Sequence, residues 1–516
     1  GSDGEAMKKI KLQHNIIHYE EVVSKAVGLL QEHRLPFFAS LGIGLLTHMF
    51  MFTNKLINLD DIFNLFDKGA SVTSGRWGLE LLRGIFPDYS MPWFYGIISL
   101  ILLSISVCMT IRLFEIRNRY VQVLFAGIMV SFPALTGVFS YMFTSAPYML
   151  SMLLAVSAVV LCEKGGKANT AMAAVCAFFS LSIYQAFIEL IASYFVLMLV
   201  KKVISGRGEP AEVIRTGICR VLFLLAVMVA YYASVKLMLV LTHSDFNDYA
   251  NENLATESIN LVRRVYVAFV NFIYFFTRYN WGLINTPLSL AMHLTALGVV
   301  GVVLLGIMKK LGMVRTLLLG FLGVMLILAM NSMYLIVNEE AIHTLTLFSF
   351  ASLYVLFAIV FEALMQEKKL GRDLLLIAMT VIMLNNIFIA NNAYLQLHMA
   401  YEQAYGIFNS IVTQIQQTEG FDEDKTIAIV GKADIEERSY PWFEDEKIMG
   451  IGSALVNVYS RERFFQYYLG FDVNYATDEE KEALSQRPEF EQMAVYPYYG
   501  SVQVIDQYIV VKLGAE

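Results

Sequence analysis

Residues 92–111 read PWFYGIISLILLSISVCMTI, twenty residues without one charged side chain. An apolar helix of this length spans the hydrocarbon core of a bilayer. The stretch is typical of the whole chain, in which 57% of 516 residues are hydrophobic, only 16% are charged and the mean hydropathy is +0.56. Such a balance argues against a soluble globular protein and predicts many membrane spans.

Similar apolar stretches recur along the chain, so the sequence predicts an all-α polytopic membrane protein with about eleven transmembrane helices. The predicted spans are Leu35–Phe52, Pro92–Ile111, Val121–Phe139, Ala146–Cys162, Ala168–Ile183, Ala186–Leu199, Cys219–Leu241, Leu288–Met308, Leu317–Val337, Ile342–Met365 and Leu374–Ala390.

The chain divides into four predicted parts. Residues 1–6 have the composition of a tag remnant, and residues 7–34 predict an amphipathic helix on the cytoplasmic membrane surface. Residues 35–403 form the membrane part. Residues 404–516 predict a small soluble α/β domain, because residues 405–516 carry 20 Asp or Glu against 9 Lys or Arg and include β-strand patterns at 426–430 and 502–511.

The basic residues predict the orientation, because Lys and Arg concentrate in cytoplasmic loops. They fall in alternate connections, at residues 112–119, 164–167, 201–215, 309–315 and 368–372. The N-terminus is therefore predicted to lie inside. An odd number of spans then places the C-terminal domain outside, together with the long loops 53–91 and 242–287 and three short turns.

Two adjacent carboxylates, Asp60 and Asp61, lie in the first outer loop, in the segment Asn58-Leu59-Asp60-Asp61-Ile62-Phe63. A carboxylate at the membrane surface can act as a general base toward a hydroxyl group. Acids at a helix start are also common, with Asn58 as N-cap and Asp61 three positions later. Adjacent helical positions point about 100° apart, so one Asp can cap the helix while the other faces a substrate.

Guanidinium groups and indoles recur in outer loops that are otherwise poor in basic residues, as Arg76-Trp77 and as Arg278-Tyr279-Asn280-Trp281. A guanidinium fork fits a phosphate at the level of the lipid headgroups. The alternative is that these side chains snorkel or form an interfacial aromatic belt.

Lys236 and Glu189 are ionisable residues near the outer ends of predicted spans, where a functional role is the default expectation. Lys236 can neutralise a phosphate, and Glu189, which follows Tyr184 and Gln185, can bind a hydroxyl or orient an arginine. The alternative is a mutual pair or a snorkelling lysine. His343 faces the same side, but without further His or Cys nearby it is a weak ligand candidate, and no metal site is predicted.

Several familiar motifs are absent from the sequence: the Gly-Lys-Ser phosphate loop, the dinucleotide fingerprint, the Gly-x-Ser-x-Gly elbow and paired-Cys zinc spacings. Nothing predicts a nucleic-acid partner. Aromatic clusters in the tail are interpreted mainly as domain core and alternatively as a carbohydrate-stacking surface. They lie at residues 440–443, 464–468 and 496–499.

The order and placement of these motifs resemble the GtrII-type glucosyltransferases, bacterial membrane enzymes related to the GT-C class of glycosyltransferases. The resemblance rests on Asn58–Asp61 and Gly75–Trp77 in the first outer loop, on Ser182–Gln185 at the end of the fifth span, and on a distal soluble tail. It covers residues 35–392 and implies a GT-C-like membrane domain.

The resemblance also implies a reaction. A hexose, expected to be glucose, would pass with inversion from a polyprenyl-phosphate donor to a cell-surface glycan or lipid-linked acceptor, on the outer face of the bacterial cytoplasmic membrane. Asp60 or Asp61 would be the base, and Arg76, Arg278 or Lys236 would stabilise the leaving phosphate. The further candidates for binding donor phosphate or sugar are Trp77, Tyr184, Gln185, Glu189, Trp281 and His343.

No cofactor is expected, because a phosphate held by cations needs no divalent metal. One alternative is a transporter or flippase of lipid-linked sugars, although the sequence shows no related halves. A second alternative is a scaffold protein, which would leave the loop carboxylates unexplained.

Overall fold

The computed structural model describes residues 31–66, 69, 71–86, 89–247, 260–278, 283–339, 342–364, 369–434, 448, 450 and 455–514, together with 20, 21, 24, 27 and 28. Most of the predicted surface helix at 7–34 lies outside these residues. The α-helices are α1 Arg34–Thr53, α2 Leu59–Phe63, α3 Gly78–Leu81, α4 Pro92–Phe114, α5 Arg119–Ser131, α6 Pro133–Ser140, α7 Met142–Lys164, α8 Lys167–Ile183, α9 Phe187–Ile204, α10 Pro210–Leu241, α11 Leu261–Thr277, α12 Pro287–Lys310, α13 Met313–Met330, α14 Ser352–Leu364, α15 Lys369–Gln417, α16 Arg461–Leu469, α17 Asp478–Ser485 and α18 Pro488–Gln492. The 3₁₀ helices are Ser332–Leu335, Thr344–Ala351 and Leu455–Asn457, and the strands are β1 Thr426–Val430, β2 Val502–Ile505 and β3 Tyr508–Lys512.

Nine helical segments within the described residues are long and apolar enough to cross a membrane. They are α1, α4, Arg119–Ser140, α7, α10, α12, α13, Thr344–Ala363 and α15. The predicted fifth and sixth spans are also helical, as α8 and α9. However, α8 has only 17 residues, and α9 carries Glu189, Lys201 and Lys202 within its 18. Nine crossings are thus supported by length and composition, against the eleven predicted.

The third predicted span consists of two helices, α5 and α6, which meet at Phe132. Pro133 is the first residue of α6, and Phe132 has an extended backbone with ψ of 132°. Proline restricts the preceding residue to this region and cannot continue the hydrogen bonding of α5. The bend directs Ser140, at the end of α6, toward the first polar loop, where its carbonyl accepts a hydrogen bond from Asn58 at 2.6 Å.

The connections that were predicted to share one side of the membrane meet at the same end of the helix bundle. Lys201 Nζ lies 3.2 Å from the Glu115 carboxylate, and Lys202 Nζ lies 3.7 Å from the Glu163 carboxylate. The polar loops predicted for the other side converge on a cavity. The 23 residues of α4 alone separate its two ends by about 35 Å.

The predicted outer loop 242–287 contains a helix, α11, which differs from the prediction of a loop there. Ala268, Phe272, Phe275 and Phe276 are buried at helical spacing, and the rings of Phe275 and Phe276 lie 5.0 and 6.0 Å from that of Phe350. This periodicity is the feature that predicts an amphipathic helix. The loop therefore packs an apolar face on the bundle.

The predicted ninth span, Leu317–Val337, is wrong at its end, because α13 ends at Met330 and a 3₁₀ helix follows. The reason is the carboxylate of Glu189, which is fully buried. It accepts hydrogen bonds from the backbone N–H of Met333 at 2.6 Å and from the Ser349 hydroxyl at 3.1 Å. The first bond takes the Met333 N–H out of the helical ladder, and the second links the segment before α14 to the same carboxylate.

The tail follows α15, which continues without a break through the predicted domain boundary at 403/404. The sheet has the order β1-β3-β2, with β1 parallel and β2 antiparallel to β3. The single strand predicted at 502–511 is in fact two strands, because Asp506 adopts a left-handed turn with φ of 54°. Phe464 and Phe465 of α16 pack 4.9 and 4.5 Å from the ring of Phe408. A small α/β unit is thus present, and these two aromatic residues belong to its core.

Candidate active site

A cavity of about 600 Å³ lies at the end of the bundle where the polar loops converge. Its wall combines α2, the turn before α3, the corner between α6 and α7, the segment before α14, and the tail. The lining residues are Leu59, Asp60, Phe63, Asn64, Gly69, Ser71, Ser74, Arg76, Leu79, Val138, Tyr141, Phe143, Thr144, Tyr148, Tyr184, Asn247, His343, Leu345, Thr346 and Tyr459.

The two adjacent carboxylates have different environments. Asn58 caps α2 as predicted, and its side-chain oxygen accepts a hydrogen bond from the Asp61 N–H at 2.8 Å. The Asp61 carboxylate is fully buried and contacts Lys55 Nζ at 2.5 Å and the Ser90 hydroxyl at 2.7 Å. Asp60 lines the cavity. One acid is therefore buried in an ion pair, and the other faces the cavity.

The tail holds Asp60 from the opposite wall. The Tyr459 hydroxyl donates a hydrogen bond to Asp60 Oδ1, and the Ser460 hydroxyl donates to the Leu59 carbonyl at 2.6 Å. Partial burial of the hydroxyl and the nearby Asp60 carboxylate both raise the pKa of Tyr459. Asp60 thus has a donor that orients one oxygen.

The contact between the tail and the bundle is close at Gly450. This residue has φ of 85°, and a Cβ there would meet the Ser140 hydroxyl and would lie 2.8 Å from Asn58 Nδ2. Only glycine combines this backbone conformation with such an approach. The tail is therefore seated directly on the residues that cap α2.

Arg76 is aimed into the cavity by a turn at Gly75, which has φ of 76°. A Cβ at Gly75 would lie 2.9 Å from the Tyr231 hydroxyl and 3.0 Å from Gln185 Nε2. Tyr231 and Gln185 also donate hydrogen bonds to carbonyls of this turn, each at 3.0 Å. Arg76 NH1 then donates to the Tyr148 hydroxyl at 2.6 Å. The guanidinium is thereby fixed at the cavity wall.

Two stacked tyrosines form another part of the wall. The rings of Tyr148 and Tyr184 are 4.0 Å apart and inclined by 16°. The Tyr184 hydroxyl donates to the Leu345 carbonyl at 3.3 Å, which joins the end of α8 to the irregular segment before α14. His343 and Thr346 of that segment also line the cavity. The buried Glu189 carboxylate, which binds Met333 and Ser349 on either side of this segment, therefore helps to shape the cavity without lining it.

Four of the predicted site residues meet in the cavity: Asp60, Arg76, Tyr184 and His343. Three others support its wall from behind. Gln185 holds the Gly75 turn, Glu189 holds the segment after α13, and Trp77 donates its indole N–H to the Ser234 hydroxyl at 3.0 Å while packing against α10.

The remaining predicted residues lie elsewhere. Lys236 is exposed on α10, with Nζ 4.9 Å from the Phe246 ring centroid. Arg278 is exposed and lies 5.1 Å from the Tyr274 ring. Neither lines the cavity, so their predicted phosphate contacts have no geometric support. Trp281 lies outside the described residues.

The predictions from sequence do not include Lys55, which pairs with Asp61 behind the cavity, or Tyr148 and Tyr459, which line it. Lys55 is one of four basic residues in the loop 53–91, so its charge alone does not distinguish it. No local signal pointed to the other two, because Tyr148 is 72 positions from its partner Arg76 and Tyr459 is 399 positions from Asp60.

The arrangement combines three chemical capacities. The Asp60 carboxylate can accept a proton, the Arg76 guanidinium can bind an anionic group, and the tyrosine faces can pack against the apolar face of a sugar or lipid. Among the described residues, no three His, Cys, Asp or Glu side chains form a group that could hold a metal ion. The predicted independence from metal stays a prediction.

A comparison with known proteins places these residues in a family. The family model described as glucosyl transferase GtrII matches residues 49–362, which is more than half of the chain. The matched range contains Asp60, Arg76, Tyr184 and His343, whereas Tyr459 lies beyond it. No curated protein and no solved structure matches the chain.

Proposed function

The chain belongs to the GtrII glucosyl transferase family, and we propose that it transfers glucose from a polyprenyl-phosphate donor to a surface glycan or lipid-linked acceptor. The observation that supports this most is the shared cavity of Asp60 and Arg76, between the membrane bundle and the tail. A carboxylate base and a phosphate-binding cation are the two groups that this reaction requires. Family membership favours a transferase over a transporter.

The mechanism begins with Asp60 removing the proton of the acceptor hydroxyl. The acceptor oxygen attacks the anomeric carbon of glucose from the face opposite the phosphate, so the configuration inverts. The bond between the anomeric carbon and the phosphate oxygen breaks, and its electron pair leaves with the lipid phosphate. Arg76 stabilises the charge that develops there. The proton on Asp60 then passes to solvent.

The cavity is proposed to face the outer side of the bacterial cytoplasmic membrane, with the N-terminus inside and the tail outside. The basic connections at the opposite end of the bundle support this orientation, because Lys and Arg concentrate in cytoplasmic loops. Nucleotide sugars are not available on the outer side. A lipid-linked donor is consistent with the absence of nucleotide-binding motifs.

Reconstitution in liposomes tests the proposed donor. Radiolabelled polyprenyl-phosphate glucose is expected to transfer its label to isolated surface glycan, whereas UDP-glucose is expected to give no transfer. Addition of EDTA is expected to leave the rate unchanged, because Arg76 supplies the positive charge at the phosphate. The incorporated label is measured in the glycan fraction.

Two results would contradict this proposal. Transfer from UDP-glucose but not from the lipid donor would overturn the donor class, and movement of labelled lipid between leaflets without transfer would indicate a flippase. Loss of transfer in EDTA that is restored by added Mg²⁺ would overturn the metal-independent mechanism.

Replacing Arg76 with Ala is expected to raise the KM for the lipid donor by about 10- to 100-fold, because a hydrogen bond to a charged group contributes roughly 1.5–3 kcal/mol. The KM for the acceptor is expected to change much less. Initial rates measured at varied donor and at varied acceptor concentration separate the two effects.

The matched control is Arg278→Ala, which removes an exposed arginine that lies outside the cavity lining. It is expected to leave donor KM near that of the parent. An unchanged donor KM in Arg76→Ala, or an equal rise in both variants, would refute the phosphate role of Arg76.

A further inference from the structure

A line of exposed rings leads out of the cavity along the junction between the first polar loop and the tail. Two of its members, Phe63 and Tyr459, line the cavity itself. The others continue away from it on α16 and on the loop before α4. This aromatic strip consists of Tyr459, Phe63, Tyr467, Phe66 and Tyr89.

The groups of the strip follow one another at regular distances. The rings of Tyr459 and Phe63 are 6.2 Å apart. The Arg463 guanidinium bridges the next gap, 5.7 Å from the Phe63 centroid and 6.0 Å from that of Tyr467. Phe66 lies 5.1 Å from Tyr467 and 5.6 Å from Tyr89. The strip is therefore continuous from the cavity to Tyr89.

The outer rings of the strip are open to the surroundings although they contact one another. The exposed fractions are 53% for Phe66, 39% for Tyr467 and 56% for Tyr89. Contiguous apolar patches of this kind on a protein surface commonly mark a binding site. Neighbouring rings are inclined steeply, by 84° between Phe66 and Tyr467 and by 80° between Phe66 and Tyr89, so the strip offers ring faces and ring edges in alternation.

The setting of the strip is polar. The helix that carries Tyr467 also carries Glu462, Arg463 and Gln466, so it faces water. Arg463 donates to Gln466 at 2.9 Å, and Gln466 donates to Asp472 at 3.1 Å. Apolar faces edged by polar side chains match a sugar, which has an apolar ring face and hydroxyl groups around its edge.

We propose that the aromatic strip is the binding site for the acceptor glycan, whose sugar rings stack on it while the terminal hydroxyl reaches Asp60. This assignment rests on the proposed function, since it takes the cavity as the site of transfer. The tail, which lies outside the range matched by the family model, then contributes Tyr459, Arg463 and Tyr467 to acceptor recognition. Long acceptors bind more tightly than short ones because only they reach Phe66 and Tyr467.

Equilibrium binding tests the strip without relying on transfer. The purified full chain in lipid nanodiscs is titrated with disaccharides and longer oligosaccharides of the malto, cello and manno series. The parent is expected to bind at least one longer oligosaccharide about tenfold more tightly than its disaccharide. Phe66→Ala and Tyr467→Ala are expected to abolish this gain and to leave disaccharide affinity unchanged. Phe66→Trp, which retains a flat ring, is expected to preserve the gain.

The matched control is Tyr120→Ala. Tyr120 is also an exposed ring at a helix start, but α5 and α6 separate it from the cavity end of α6 by about 30 Å. It is expected to leave the affinity for every oligosaccharide unchanged. Thermal stability is measured for each variant, so that a loss of folded protein is not counted as a loss of binding.

Several results would overturn the acceptor site. These are equal affinity for short and long oligosaccharides, equal binding by Phe66→Ala and the parent, or loss of liposome insertion in the strip variants with sugar binding intact. The last result would assign the strip to the lipid headgroups. A parent that binds long oligosaccharides through the strip but transfers no glucose would instead refute the proposed function and leave the binding site standing.

Discussion

Replacing Asp60 with Asn is expected to lower the rate of glucose transfer by about 10²–10⁴-fold, the range usual for loss of a general base. The amide has nearly the same shape as the carboxylate and can still accept the Tyr459 hydrogen bond. It cannot take a proton from the acceptor hydroxyl. The fold and the donor KM are therefore expected to stay unchanged, and the loss of rate is expected to appear in kcat. Initial rates at saturating donor measure the loss of kcat, and a melting curve checks that the variant is folded.

The neighbouring acid supplies the matched control, because Asp61→Asn makes the same chemical change one residue away. Asp61 is buried with Lys55 and Ser90 and does not line the cavity. Its loss is expected to lower the rate per folded molecule far less than the loss of Asp60. A larger loss of rate in Asp61→Asn than in Asp60→Asn, at equal amounts of folded protein, would reverse the assignment of the base.

The second large effect concerns stability, and it belongs to Asp61. Asp61→Asn is expected to lower the free energy of unfolding by about 2–3 kcal/mol, below the roughly 3–5 kcal/mol typical when one partner of a fully buried pair is removed. The value is lower because the Lys55 side chain is 25% exposed and can recruit water. Denaturant unfolding of the detergent-solubilised protein measures the loss.

A double-mutant cycle isolates the ion pair. Lys55→Met is expected to destabilise the protein as well, whereas Lys55→Met combined with Asp61→Asn is expected to cost clearly less than the two single losses together. Additive losses would show that the two side chains are not energetically coupled. In that case the Asn58 cap and the contacts with the tail, and not the ion pair, would hold α2 in position.

The fold class was predictable because it depends on local composition. Uncharged runs such as residues 92–111 have no stable alternative to a helix in lipid, since every backbone N–H and C=O must be bonded within the chain. The ends of spans were less predictable. The end of α13 depends on Glu189, more than a hundred positions earlier in the chain, and that contact leaves no local trace. The spacing of Ala268, Phe272, Phe275 and Phe276 in the sequence is sufficient to predict the helix α11.

Part of the candidate site was also predictable from the sequence. Asp60 and Arg76 could be selected because each belongs to a short local motif, Asn58–Asp61 and Gly75–Trp77, in the first outer loop. The capping role of Asn58 was likewise readable from spacing within one helical turn. By contrast, Lys236, Glu189 and Trp77 satisfied the same criteria of charge or aromatic character. Only their contacts place them outside the cavity lining.

The sequence by itself determined the membrane class, the acidic tail, the cap at Asn58 and the family motifs, because each depends on residues that are adjacent or one helical turn apart. Only the tertiary structure shows that Asp60 lines the cavity and that Asp61 is buried against Lys55. Tyr459 of the tail, 399 positions away in the chain, donates a hydrogen bond to Asp60. Adjacent side chains on a short helix point in different directions. The packing around α2 therefore determines which carboxylate is buried and which one faces the cavity.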